Sequence, residues 1–146
     1  MSKQDYLDFN QIGVITLIDF GYEETPIANH QGDVAYDVFA PEDITLLPSE
    51  TRAIGLGFGL TLQRDMAGLI LPRSGLARKG ITTHAAPIDS SYLGEIHAIM
   101  TNLSFDTYSI LKGDRIAQLL VIPVYAPLAW RNKDARDQNN FGSSGR

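Results

Sequence analysis

The chain has 146 residues, 44% of them hydrophobic and 20% charged, the balance of one globular domain able to bury a core without staples. It contains no cysteine, which excludes disulfides and cysteine-ligated metal sites. A formal net charge of −5 argues against general nucleic-acid binding, so any anionic ligand has to be met by positive charge gathered locally.

The opening Met1-Ser2-Lys3-Gln4-Asp5 lacks the basic start and apolar stretch of a signal peptide. No apolar run approaches the roughly 20 residues that span a bilayer, and a cytoplasmic location is the expectation. After a polar Met1 to Asn10, the β-branched run from Gly13 to Phe20 predicts a strand. Gly32 to Ala40 predicts another, with Asp37 set among apolar neighbours. A carboxylate there is either a hydrogen-bonded structural group or one close to a metal. Turn signals follow at Pro41-Glu42-Asp43 and Leu47-Pro48-Ser49. Ile54, Leu56, Phe58, Leu60 and Leu62 alternate with Gly55, Gly57, Gly59 and Thr61, which predicts one continuous strand with thin packing or close backbone approach on its glycine face. Ala67 to Leu71 predicts a strand, Ser74 to Lys79 a short helix with Ser74 near its cap and Gly80 closing it. Tyr92 to Asn102 and Ile116 to Val124 complete the strands, with a turn at Lys112-Gly113-Asp114. Many short strands with frequent turns argue an all-β sandwich, jelly roll or barrel. The division expected is a core over residues 1–132 and a C-terminal arm over 133–146. The arm is rich in Asp, Asn, Gly, Ser and Arg with a single aromatic, Phe141, and reads as a frayed terminus or as a mobile lid.

Four segments carry candidate chemistry. In Leu71-Pro72-Arg73-Ser74-Gly75-Leu76-Ala77-Arg78-Lys79-Gly80, a strand ends in a glycine-containing turn that opens a helix, and Arg73 and Ser74 add a planar donor fork and a hydroxyl suited to phosphate. The alternative is a capped surface turn with solvated basic residues. Ala86-Pro87-Ile88-Asp89-Ser90-Ser91-Tyr92-Leu93-Gly94-Glu95-Ile96 sets a carboxylate and an aromatic ring in an expected hairpin. Asp89 could orient a water and accept its proton, or simply make an Asx turn. In Gly113-Asp114-Arg115-Ile116-Ala117-Gln118, Asp114 and Arg115 suggest an ion pair, and Gln118 faces either core or ligand. Gly32 to Ala40, with Asp37, is the fourth. Several other chemistries find no support: there is no Walker sequence, His30, His84 and His97 lack zinc-ligand spacing, and Ser74 lacks a G-x-S-x-G context.

Taken in order, these segments resemble the five motifs of the trimeric dUTPase family. Ala35-Tyr36-Asp37-Val38 is similar to the first, Pro72-Arg73-Ser74-Gly75-Leu76 to the second, and Ile88-Asp89-Ser90-Ser91-Tyr92-Leu93-Gly94-Glu95 to the third. Gly113-Asp114-Arg115-Ile116-Ala117-Gln118-Leu119 is similar to the fourth, and Arg136 followed by Phe141-Gly142-Ser143-Ser144-Gly145 to the fifth. The resemblance implies a distorted jelly-roll (β-clip) domain, a homotrimer with active sites shared between chains, and Mg²⁺-dependent hydrolysis of dUTP to dUMP and pyrophosphate. It implies Asp89 as the base that activates water for attack on the α-phosphorus, and Tyr92 packed on the deoxyribose. Arg73, Ser74, Gly75 and Gln118 would meet the phosphates, and Ala86 and Ile88 would line the uracil pocket. From the arm, Arg136, Gly142, Ser143 and Ser144 would reach the phosphates while Phe141 stacks on uracil. Asp37 would act near the metal through water. The chain departs from the family pattern in having Ala35, Ala86 and Pro87 where glycines are usual, Ser91 where a second Asp is usual, and Gln138, Asn139 and Asn140 in place of glycines. Two rival functions are a dCTP deaminase-like enzyme of the same fold and a nucleotide-responsive protein-binding module. Against the first, Ile99 stands where the deaminases carry a glutamate, and Gly75 where they carry a second serine.

Overall fold

Alternating apolar positions and frequent turn residues resolve, among the described residues, into eleven short strands and one helical turn. The structure, a computed structural model, describes residues 16–125. In chain order the elements are β1 (Thr16–Asp19), β2 (Tyr36–Phe39), β3 (Ile44–Leu46), β4 (Thr51–Gly55), β5 (Phe58–Thr61) and β6 (Met66–Pro72). They continue as α1 (Ser74–Ala77), β7 (Ile81–His84), β8 (Pro87–Ile88), β9 (His97–Asn102), β10 (Tyr108–Ile110) and β11 (Arg115–Pro123). The fold is all-β, as expected. The expected arm over 133–146 lies outside the described residues.

The strands form a four-stranded sheet in the order β2-β11-β6-β8, a three-stranded sheet β4-β9-β7, and two pairs, β1-β5 and β10-β3. All of these pairings are antiparallel. One buried cluster draws on both larger sheets and both pairs, with Leu46, Phe58, Leu60, Ile81, Met100, Ile110, Ile116 and Leu119 almost fully removed from water. Burying each such side chain stabilises the fold by about 1.5–3 kcal/mol.

Four expectations need correction. The continuous strand over Ile54 to Leu62 is two strands, β4 and β5, that belong to different sheets. The break is at Gly57, whose φ of 80° lies in the left-handed region and whose carbonyl accepts the N–H groups of both Phe20 and Tyr22. The alternation nevertheless marks the core correctly: Ile54, Leu56, Phe58 and Leu60 are all buried. The strand predicted from Tyr92 begins only at His97, because the Tyr92 N–H closes a turn onto the Asp89 carbonyl. The expected hairpin around Asp89 is instead a connection between sheets, since β8 pairs with β6 while β9 pairs with β4 and β7. The helix is a single turn. Arg73 rather than Ser74 is its cap residue, and the chain leaves it through tight bonds from Lys79 to Leu76 and from Gly80 to Ala77.

Among the described residues one polar side chain is fully buried, that of Asn102. Its amide donates to the carbonyls of Leu46 (3.0 Å) and Asp106 (2.8 Å), and its oxygen accepts from the Ser104 N–H (2.9 Å) and hydroxyl (2.7 Å). It therefore ties β9 to β3 and shapes the turn before β10. Asn102→Ala removes these four bonds, leaving the Ser104 hydroxyl its 2.9 Å bond to the Asp106 carbonyl, and is expected to lower unfolding free energy by about 2–4 kcal/mol, measured by urea denaturation.

Candidate functional site

Strand β6 is the spine on which the candidate residues are arranged. On one side it pairs with β11, from Ala117 opposite Pro72 to Pro123 opposite Met66. On the other it pairs with β8 through Gly68 opposite Ile88 and Leu69 opposite Pro87. Arg73, Ser74 and Gly75 follow the C-terminal end of β6, whereas Asp89 follows Ile88 at its N-terminal end. At about 3.3 Å per residue, the two groups stand on the order of 20 Å apart within one chain.

The first end is an open basic cleft of about 400 Å³ lined by Arg73, Gly75, Lys79, Asp114 and Arg115 among others. Three cations to one carboxylate reverse locally the net acidity of the chain. Asp37 sits behind them with its side chain 14% exposed. Its Oδ1 is 3.4 Å from Arg73 Nε, its Oδ2 is 3.7 Å from Arg115 Nε, and its Oδ2 also accepts from Asn29 Nδ2. Arg73 Nη1 donates to the Arg115 carbonyl at 3.1 Å. Asp37 and that carbonyl together hold the Arg73 guanidinium against the β11 end of the sheet, and a guanidinium has five donors, enough to meet a ligand as well.

Arg115 reaches Asp37 because of a bulge. Gln118 is opposite Asp37 and Ala117 opposite Val38, but the register shifts between Ala117 and Arg115, so that Arg115 comes opposite Phe39. The extra residue turns Arg115 onto the face that carries Asp37. The expected Asp114–Arg115 pair is thereby replaced: Asp114 Oδ2 accepts the Leu111 N–H at 2.9 Å, and Arg115 pairs with Asp37. Gln118 is half-buried and donates through Nε2 to the Pro72 carbonyl at 2.9 Å, fixing the strand end from which Arg73 departs. Sequence reasoning missed Asn29, Lys79 and Arg115 as members of this cluster. A bulge leaves no mark in hydrophobic alternation, and Asn29 precedes any periodic segment.

The second end carries Asp89, exposed, and Tyr92, half-buried. The Tyr92 hydroxyl donates to the Glu95 carbonyl at 2.9 Å. Burial first, and the nearby Glu95 charge second, push the Tyr92 phenol above its ordinary value, so it stays protonated at neutral pH. Ala86 and Ile88 flank Pro87 on β8, which ends its sheet and so presents an outer edge to whatever lies beyond it. Arg136, Phe141, Gly142, Ser143 and Ser144 lie outside the described residues. Among the described residues no group of three or more His, Asp or Glu side chains could hold a metal ion.

Gly75 is exposed, has no positive φ, and a Cβ built on it meets no atom within 4 Å. Nothing among the described residues requires a glycine there. Gly75→Ala is expected to raise unfolding free energy by up to about 1 kcal/mol through helix propensity. It is also expected to weaken binding of inorganic pyrophosphate, as measured by calorimetry, if a ligand approaches the backbone at this point.

The chain is thus an antiparallel β domain with a basic cleft at one end of a spine strand and a carboxylate–tyrosine turn at the other, and relatives identify its family. The family model for dUTPase matches residues 22–146. The chain is 38% identical over 127 residues to the deoxyuridine 5'-triphosphate nucleotidohydrolase of Clostridium novyi, covering 82% of this chain and 89% of that protein. It is 39% identical over 126 residues to that of Paramecium bursaria Chlorella virus 1, covering 83% and 89%. Among solved structures, the dUTPase from phage phi11 of S. aureus superposes with a TM-score of 0.73 at 22% identity, covering 82% of this chain and 96% of that one. A variant of the Staphylococcus bacteriophage 80alpha dUTPase with dUpNHpp superposes with a TM-score of 0.75 at 23% identity, covering 92% and 99%. The chain belongs to the dUTPase family.

Proposed function

We propose that this chain hydrolyses dUTP to dUMP and pyrophosphate, at sites completed by more than one copy of the chain. The observation that carries the reading is the placement of the phosphate-type residues and the Asp89–Tyr92 turn at opposite ends of β6 in a chain of this family. A dUTP molecule cannot bridge two groups on the order of 20 Å apart along one strand. The cleft of one copy has to meet the Asp89 turn of another, which is the arrangement expected of a trimer with shared sites.

In this reading Arg73, Ser74 and Gly75 bind the triphosphate, with Arg115 and Lys79 adding charge and Gln118 holding the strand end in place. Asp89 takes a proton from a water whose oxygen attacks the α-phosphorus. The bond from that phosphorus to the oxygen bridging to the β-phosphate breaks, and pyrophosphate leaves. The arginine forks offset the charge that builds on the phosphate oxygens. Tyr92 packs on the deoxyribose, where a 2'-hydroxyl would collide with it. The outer edge of β8 offers uracil backbone groups around Ala86 and Ile88, and reading by backbone hydrogen bonds rejects cytosine because its mismatched polar groups would stay unpaired. From the arm, Arg136, Gly142, Ser143 and Ser144 close on the phosphates, and Phe141 stacks on the base.

The donor set fits a cation that arrives with the substrate. Asp37 is a single carboxylate already paired to Arg73, Arg115 and Asn29, and no cage of carboxylates accompanies it among the described residues. A hard, hydrated Mg²⁺ held mainly by triphosphate oxygens and water, with Asp37 reaching it through water, suits these residues. When bound, it supplies charge neutralisation on the triphosphate. A variant of the phage phi11 dUTPase is known to coordinate a structural Mg(II) ion.

The direct test is turnover of dUTP with Mg²⁺, following pyrophosphate. Asp89→Asn is expected to lower kcat by about 10²–10⁴-fold with the fold retained, the usual loss when a general base is removed. A chain ending before Arg136 is expected to lose activity as well. Release of ammonia instead would identify a deaminase, and tight dUTP binding without turnover by the intact chain would identify a binding module.

The shared site gives a second test. Asp89→Asn chains and Arg73→Ala chains, each inactive alone, are expected to recover a fraction of wild-type activity when refolded together. Mixed assemblies contain sites that combine an intact cleft with an intact Asp89 turn. Failure of complementation between two folded, associating variants would show that both residues serve within one chain.

A further inference from the structure

Between β8 and β9 the chain makes a compact turn whose geometry depends on Glu95. The Glu95 carboxylate accepts the Gly57 N–H through Oε2 at 2.9 Å, and its Oε1 lies 4.0 Å from His97 Nε2. Its own carbonyl accepts the Tyr92 hydroxyl. One residue thus grips the break between β4 and β5 with its side chain and the Tyr92 ring with its backbone. Gly57 is itself held, because its carbonyl accepts from Phe20 (2.8 Å) and Tyr22 (3.0 Å).

The space around this residue has been cleared by glycines. A Cβ on Gly55 would lie 2.6 Å from Glu95 Oε2, and one on Gly94 would lie 2.6 Å from the Tyr92 hydroxyl. Both distances are well inside contact, so neither position accepts a larger residue while Glu95 and Tyr92 stay where they are. Two glycines from different segments serve one carboxylate and one phenol. The side chain of Glu95 is 33% exposed, so hydrophobic burial does not explain why the site is built around it.

We propose that Glu95 is a positioning residue for sugar selection: by anchoring the turn to Gly57 and taking the Tyr92 hydroxyl on its carbonyl, it fixes the ring that tells deoxyribose from ribose. The proposal rests on the reading of Tyr92 as the group packed on the sugar. Glu95 touches no reacting atom in that reading. Its contribution is to hold the ring at one distance from the 2'-carbon, where a displacement of about 1 Å is enough to change rates by two orders of magnitude.

The test compares kcat/KM for dUTP and for UTP in Glu95→Gln, Glu95→Asp and Glu95→Ala. Gln keeps an oxygen for the Gly57 N–H, and its dUTP-to-UTP ratio is expected to stay within about twofold of wild type, whereas Asp and Ala withdraw that oxygen and are expected to lower the ratio by about tenfold. A merely structural role would lower both rates together and leave the ratio unmoved. A second readout needs no turnover: NMR of selectively labelled tyrosine should show the Tyr92 ring signals unchanged in Glu95→Gln and averaged by faster ring motion in Asp or Ala. An unchanged ratio and an unchanged ring in a folded Asp or Ala variant overturns the proposal, and so does a Gln variant that behaves like Ala. Loss of ring order with no change in the ratio also overturns it, since the ring would then not select the sugar. Absence of dUTP turnover in the wild-type protein would instead remove the functional reading, and the ring measurement tells the two failures apart.

Discussion

The antiparallel pairing of β6 with β11 on one side and β8 on the other is the constraint from which the functional geometry follows. Seven residue pairs with β11 hold β6 straight through the middle of its sheet, and two pairs with β8 set where the Asp89 turn begins. Shifting β8 by one residue would exchange which of Pro87 and Ile88 faces the core, so the register is specified by burial. Once it is set, Arg73 and Asp89 are directed off opposite ends of the same strand. No local flexibility of either turn removes a separation of this size.

How much of this was legible in sequence depended on whether the signal was local. Burial at Ile54, Leu56, Phe58 and Leu60 followed from alternation alone. The break at Gly57 did not, because glycine in an alternating run is equally compatible with thin packing and with a positive φ. What decides between them is contact with residues distant in sequence: the Gly57 carbonyl accepts from Phe20 and Tyr22, and its N–H donates to Glu95, 38 residues away. The pairing of Arg115 with Asp37 was hidden for the same reason. Adjacent opposite charges at Asp114 and Arg115 suggest a pair, yet the bulge before Ala117 sends Arg115 across to β2. The candidate residues themselves came from ordered motifs and not from periodicity, and each is individually ordinary. Their distribution over two ends of β6 is a property of topology that no single motif contains.

Charge placement on this acidic chain follows a similar logic. Overall repulsion of an anion is overcome only where several cations share one field, and Arg73, Lys79 and Arg115 do so beside a cleft. Crowding guanidiniums is unfavourable without a counter-charge. Asp37 supplies it from behind at 14% exposure, together with an Asn29 amide that meets its second oxygen. Distances of 3.4 and 3.7 Å mark a loose pairing, weaker than a bidentate bridge, so the arginines are oriented without being neutralised. A tighter bridge would hold them more firmly and leave less of their donor capacity for phosphate.

The glycines show how structure separates residues the fold needs from residues it does not. A methyl group at Gly55 or Gly94 would overlap Glu95 or Tyr92 where those side chains stand, so each glycine is matched to atoms of its own chain. Gly75 is dictated by nothing among the described residues, and helix propensity disfavours it by up to about 1 kcal/mol relative to alanine. Among the described residues, Gly75 costs stability and meets no neighbour. At the mouth of a cleft lined by three cations, the explanation consistent with the family is an anionic ligand or an adjoining copy that approaches the backbone. The same criterion places Glu95 in the interior logic of the Tyr92 turn and sets Gly75 apart from it.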